Sequence, residues 1–598
     1  MRPVVLLLAG LLFRGLAYAQ ELVIPADELV RPPSAERVAD LVERAGRSGW
    51  GSLTEPLRAA AFAVYERDPA AAGPWYGLYR WADLLATPQA KAVERWIKAV
   101  EAARVGHPNM PTQYALPPGS LAALVGPDFL RTVLADASFS EEFFATLTPV
   151  DNPLEVLRIL QRLHAAGPAL FADYERLALA IAVVYDVPPP PTWPHGQVSA
   201  VRLPRRLPDA LEAFQHWTRL DRANVSAQRL RRLPSAELKF VVDAAAPLGE
   251  LTWAQRNVTP PLSELAQAYT MVKYREDRLR DGRYVWPGPD YRLESILRDG
   301  GICVDQAYFA VHAGKARGVP TLFFRGAGLD GRHAWFGFLD ANQKWHLDAG
   351  RYAEQQFVTG LVFDPQTWRD LTDHELVFLS DRFRQLPLYK LSAVHAAFAA
   401  EYLRRYQPGP ALRAAREAVN RERRNLEAWR VLLDAQRAAG EPARGVEGTL
   451  REAALAFQKQ PDLEIEFSRQ LVASLRQRGE TSVAAAEEQR LMKKYAATRS
   501  DLSLVTAAAM LERSLQQEDL AGQMRTYQRL LETQGRGANI DFYDKVVRGF
   551  VGHLAARGEV LAARQALERA RRSLRVEPGG QLDRELREAE AALRSPRS

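Results

Sequence analysis

From about residue 387 to its end the chain repeats itself. Leu388, Leu426, Leu463, Leu502 and Ile540 each open a stretch of helical periodicity, at steps of 38, 37, 39 and 38 residues. Between them a turn recurs in phase at Gly440-Glu441, Gly479-Glu480, Glu518-Asp519 and Gly558-Glu559, spaced 39, 39 and 40 residues apart. A unit this short cannot bury its apolar face alone, so neighbouring units must stack to share a core. The pattern therefore predicts a solenoid of helical hairpins over residues 387–598.

These repeats resemble degenerate tetratricopeptide-type units, somewhat longer than that family's usual length of about 34 residues and without most of its consensus. The resemblance implies a concave surface offered to a protein partner. With 598 residues the rest of the chain has room for further domains. Residues 20–187 read as an N-terminal all-helical domain. Ser34 to Ala45 and Leu154 to His164 carry apolar residues at three- and four-residue spacing, and Leu177 to Val187 is a nearly continuous apolar run. Four prolines, Pro188 to Pro191, end that run. Residues 188–255 read as a Pro-punctuated connector.

Residues 256–386 differ in texture. Asp299-Gly300-Gly301 precedes small and apolar residues at helical spacing, and a Gly-rich loop follows at Gly326, Gly328 and Gly331. Two aromatic-rich segments, His333 to Leu339 and Lys344 to Asp348, read as strands joined through Asp340-Ala341-Asn342-Gln343. The chain's only cysteine, Cys303, falls in the first turn of the predicted helix. One cysteine excludes an internal disulfide and a Cys-based zinc cluster. Helix N-terminal amides and the macrodipole lower a thiol's pKa, which makes Cys303 a candidate nucleophile. It needs a base and a group to orient that base. If Asp340 lies opposite Gln343, then Trp335 faces Asp348 and His333 faces Gly350. His333 and Asp348 are then diagonal neighbours on one face, giving the order Cys303, His333, Asp348.

Residues 300–307, 331–336 and 345–350 resemble the three motifs of the transglutaminase-like superfamily, and Gly318-Val319-Pro320 resembles its Gly-[Ile/Val]-Pro. The resemblance implies a papain-like α+β core between the two helical regions, a mixed fold class. It also implies a reaction. The Cys303 thiolate attacks an amide or ester carbonyl, His333 moves the proton and Asp348 holds the imidazole. Water or an amine then resolves the acyl-enzyme. Trp286 is the candidate second oxyanion donor, beside the Cys303 amide. No cofactor and no metal are expected, and the substrate is a protein or peptide. The alternative is a non-catalytic peptide-binding or envelope scaffold that works through its repeats.

The first residues read as an export signal, assigned to 1–19. Arg2 precedes an apolar run from Val4 to Phe13, and Ala17-Tyr18-Ala19 offers a cleavage site before Gln20. The expected location is periplasmic or extracellular, with no transmembrane segment. Lys plus Arg number 79 against 72 acidic residues, a net of +7. The basic residues are scattered and do not interleave with aromatics, so nucleic acid is not an expected partner.

Overall fold

The computed structural model describes residues 22–103, 118–328, 330–352, 358–496, 498–534 and 539–594. The export segment read above lies outside them. Among the described residues no helix is long and apolar enough to cross a membrane. The fold is helix-rich, with one small antiparallel sheet of five strands.

The chain divides into two compact units, Met1–Pro88 with Pro118–Glu141, and Gln89–Pro117 with Glu142–Ser598. The first is built on helices Ala35–Ser48, Gly51–Arg67, Gly73–Ala86 and Pro127–Ala135. Ser34 caps the first of these by accepting the Arg37 amide at 3.1 Å. Two fully buried indoles anchor the unit, and each N–H finds an acceptor: Trp75 donates to the Arg31 carbonyl (2.9 Å) and Trp81 to Ser140 Oγ (2.9 Å).

In the second unit the apolar run forms helix Glu175–Tyr185, with every side chain from Leu177 to Val184 fully buried. A helix apolar all round must be covered on all sides. The four prolines follow its end. The stretch 188–255 is more structured than a linker. It carries helices Ala210–Arg222, Ser235–Val242 and Leu248–Asn257, whose Phe214, Trp217, Leu238 and Phe240 are buried. The prolines that suggested a connector stand outside those helices; Pro234 and Pro247 sit at N-caps.

The sheet comprises β1 (Thr321–Ala327), β2 (Arg332–Leu339), β3 (Trp345–Ala349), β4 (Leu361–Phe363) and β5 (Asp370–Thr372), in the order β3-β2-β1-β4-β5. Helix Cys303–Lys315 packs on it, buried along nearly its whole length. Gly314 makes the close approach possible, since a Cβ there would meet Thr321 Cγ2 at 2.3 Å.

The described residues from 387 to 594 form the helical array. Its first-of-pair helices begin at Pro387, Leu426, Pro461, Ser500 and Asn539. The apolar residues that open each repeat in the sequence sit in their first turns. Proline at N1 starts three helices of the array without losing an intrahelical bond. Gly440, Gly479 and Gly558 end first-of-pair helices with φ of +71°, +81° and +79°, the left-handed closure that glycine adopts without a Cβ penalty.

The far end of the array returns to the sheet. Asp330 accepts the Gln581 and Leu582 amides at 3.0 and 3.2 Å, at the N-terminus of helix Gln581–Ala592. Arg332, the residue before His333, is held by Asp544 (2.7 Å) and Glu585 (2.5 Å). Asp544 lies in a π-helical turn, Tyr543–Val547.

Candidate active site

Two glycines set Cys303 in place. Gly300 has φ +72°, and a Cβ there would lie 2.5 Å from the Lys273 carbonyl. The Gly301 amide bonds that carbonyl at 2.9 Å, and the Arg275 amide bonds the Gly301 carbonyl at 2.9 Å. A short extended strip at 273–275 thus runs against the approach to the helix, and the backbone turns at Ile302 into Cys303.

The thiol is half-buried and in no disulfide. Its sulfur faces the backbone N–H of Ala334, the residue after His333, together with the amides of Val304 and of Cys303 itself. These donors favour a thiolate, as a helix start should. Burial acts in the opposite sense and dominates, and the nearby Asp305 carboxylate adds to it. The thiol is pushed up to about 11. The depressed pKa expected from a helix N-terminus is therefore not found in this state, because desolvation outweighs the amides.

His333 is buried. Its Nε2 lies 2.8 Å from the Gly350 carbonyl oxygen. A carbonyl only accepts, so Nε2 carries a proton. Tyr352 stacks on the ring at 4.2 Å.

Asp348 is not the group that orients this imidazole. Its carboxylate is 67 % exposed and bonds Arg351 at 2.6 Å. Two features of the hairpin move it. The connection is one residue longer than the register above assumed: Leu339 pairs with Trp345, and the Asp340 amide bonds the Lys344 carbonyl at 2.9 Å. A bulge then falls between the Phe338–His346 and Phe336–Ala349 pairs, so that Leu347 and Asp348 together face Gly337. Gly337 suits the crowding, since a Cβ there would meet Phe324 at 2.8 Å and the His346 carbonyl at 3.0 Å. Trp335 donates its indole N–H to the Leu347 carbonyl at 2.8 Å.

Trp286 is a core aromatic. It is 2 % exposed, and its N–H is already committed to the Asp290 carbonyl at 2.6 Å. It has no donor to offer an oxyanion. The candidates that remain are the amides of Cys303 and Val304, which as the first two of the helix lack intrahelical acceptors.

Several neighbours of the site were not legible from motifs. The Tyr269 hydroxyl donates to the Ala334 carbonyl at 2.8 Å, pinning β2 beside the thiol. The Tyr274 and Tyr352 hydroxyls are hydrogen-bonded to each other. Beneath the helix start lies a buried polar chain. Asp305 accepts the Ile302 amide (2.9 Å), Arg278 (2.7 Å) and the Tyr291 hydroxyl (2.9 Å). Tyr291 in turn accepts from His195 Nε2 at 2.9 Å. Burial holds His195 neutral, down to about 3. Only Asp305 in this chain lies within a motif, two residues after the cysteine.

No protein-family model, curated protein or solved structure matches the chain.

Proposed function

We propose that this chain is an exported thiol enzyme of transglutaminase-like, papain-like type that transfers acyl groups from protein or peptide amides through Cys303. One observation carries the reading. A cysteine opens a buried helix packed on an antiparallel sheet, and an amide that favours its thiolate belongs to the residue after a histidine whose Nε2 is held by the Gly350 carbonyl. In this reading His333 takes the thiol proton as sulfur attacks the carbonyl carbon, a step assigned to substrate binding because the resting thiol is protonated. The Cys303 and Val304 amides face the developing oxyanion. The C–N bond breaks as His333 returns the proton to the leaving amine, and water or a second amine resolves the thioester. The Gly350 carbonyl does the orienting work that Asp348 does in the family pattern.

The raised thiol and the outward Asp348 favour a second reading, a transglutaminase-like fold that binds peptides without turning them over. Hydroxylamine separates the two, because it traps an acyl-enzyme as a hydroxamate. The enzyme reading expects hydroxamate from casein or a Gln-containing peptide with wild type and none with Cys303→Ala. Equal yields from both proteins favour the binding reading.

A further inference from the structure

One run of basic residues stays unneutralised in the fold. Arg219, Arg222, Arg229, Arg231 and Arg232 fall within fourteen residues, with Asp221 the only acid among them. All five arginines are exposed, and none is ion-paired among the described residues. The basic run at 421–424 behaves otherwise: Arg421 pairs with Glu417 (3.5 Å), Arg423 with Glu452 (3.9 Å) and Arg424 with Glu422 (2.7 Å).

The five arginines stand on a fastened corner. Arg219 and Arg222 lie in the last turn of helix Ala210–Arg222, where the dipole favours cations. The chain then reverses through Ala223, Asn224 and Val225, all exposed, with Asn224 at φ +54°, and Arg229, Arg231 and Arg232 follow at the short turn Leu230–Arg232. Asp221, 3 % exposed, closes the corner from inside. One of its oxygens takes the Ser226 hydroxyl (2.9 Å) and the Leu230 amide (3.0 Å), and the other takes the Tyr174 hydroxyl (2.9 Å). Arg229 donates to the neutral Asn224 Oδ1. The chain beyond is tied to the sheet that carries His333. The Ala227 amide bonds the Arg317 carbonyl at 2.8 Å, and Gln228 Nε2 bonds the Leu339 and Asp340 carbonyls at 3.1 and 2.8 Å. The Asp340 carboxylate is itself engaged by the Lys344 amide and His346, both at 2.9 Å. Like charges held together without counter-ions repel one another and attract an anionic surface.

The tip narrows the choice of partner. Val225 is 47 % exposed, an apolar side chain among guanidinium groups. Residues 219–232 include no aromatic side chain to stack on a base. The four successive exposed residues 222–225 form a projecting corner, which suits a broad surface better than a single strand or peptide. We propose that this corner docks the protein on a bilayer rich in anionic phospholipid, with the arginines on headgroup phosphates and Val225 at the interface. The proposal stands apart from the chemistry at Cys303.

Full-length protein is sedimented with vesicles of phosphatidylglycerol and phosphatidylcholine in equal parts, or of phosphatidylcholine alone. The expected result is binding to the anionic vesicles only, weakening as salt rises. The triple variant Arg222→Gln, Arg231→Gln, Arg232→Gln binds roughly 100-fold more weakly, at about fivefold per arginine near such a surface. Arg525→Gln, Arg529→Gln and Arg557→Gln together take the same charge from exposed positions of the array and leave binding unchanged. Val225→Trp enlarges the apolar tip and tightens binding. Circular dichroism confirms that each variant folds. The proposal is overturned if neutral vesicles bind as well as anionic ones or neither binds, or if the corner variant binds as wild type does. It is equally overturned if the array variant loses as much, or if Val225→Trp changes nothing. Binding of duplex DNA or polyglutamate to the corner, with the vesicles left unbound, also overturns it, since the occupant is then another polyanion.

Discussion

The Arg278–Asp305 pair gives a quantitative handle on how the nucleophile's helix is held. Both side chains are buried, at 2 % and 0 % exposure, with 2.7 Å between them. Changing Asp305→Leu leaves the guanidinium without a counter-ion, and its other acceptors are only the Arg283 and Tyr284 carbonyls at 3.3 and 3.2 Å. Breaking such a pair costs about 3–5 kcal/mol. Losing the Asp305 bond to the Ile302 amide adds about 1 kcal/mol, as for a lost helix cap. Arg278→Met strands the carboxylate and costs a similar 3–5 kcal/mol. The double variant removes both charges, so the stranded-charge cost disappears and only the cap and the Tyr291 bond are lost, roughly 1–3 kcal/mol. The double variant should therefore be more stable than Asp305→Leu alone. Hydrogen exchange of the 303–315 amides reads this local opening energy without requiring the whole chain to unfold in one step. If the two single losses simply add in the double variant, the pair is not coupled and the reasoning fails.

Three further outcomes follow from the geometry. Gly440→Ala should lower stability by about 1–2 kcal/mol, the left-handed backbone penalty alone, because nothing lies within 4 Å of its Cβ position. Gly300→Ala should cost distinctly more, because it adds the Lys273 carbonyl clash; equal melting shifts would contradict this. Burial raises Asp151 to about 7, and it also raises its neighbour Asp186, whose Oδ1 has no hydrogen-bond partner. Acids whose folded pKa is raised bind more protons in the folded state, so their contribution is present near pH 4 and is lost as pH rises, for Asp151 through about 7. Asp186→Asn should then raise the melting temperature at pH 8 relative to wild type and change it little at pH 4; the same shift at both would refute it. Arg332→Ala should speed hydrogen exchange in 543–547 and 581–592, modestly because the side chain is 39 % exposed and such pairs are screened; unchanged exchange in both segments would count against the clamp.

The array was legible because its signal is periodic: five apolar helix starts and four turns place the helices with no knowledge of their partners. The helix start at Cys303 and the strand start around His333 were legible because each sits beside glycines at the end of a patterned segment. Asp348 was not, because its position depends on one extra residue in the turn and one bulge, and a single-residue slip reverses which face a side chain takes. Trp286 looked available because a sequence does not show that its indole meets the carbonyl of Asp290. His195, Tyr291 and Arg278 gather under the helix from separate elements, and no local pattern marks them. The thiol's raised pKa is a balance of opposed effects, in which burial exceeds what three amides supply.

The central claim is that His333 is the base for the Cys303 thiol. It is tested most directly by the rate of iodoacetamide alkylation against pH, for wild type and His333→Ala. The account predicts two limbs in wild type. One is a shoulder at lower pH than the other limb, where Nδ1 assists loss of the thiol proton. The other rises toward about 11, where the thiol ionises unaided. In His333→Ala the shoulder disappears and the upper limb stays. Identical profiles through the neutral range, or no alkylation at any pH at which the protein is folded, would contradict it.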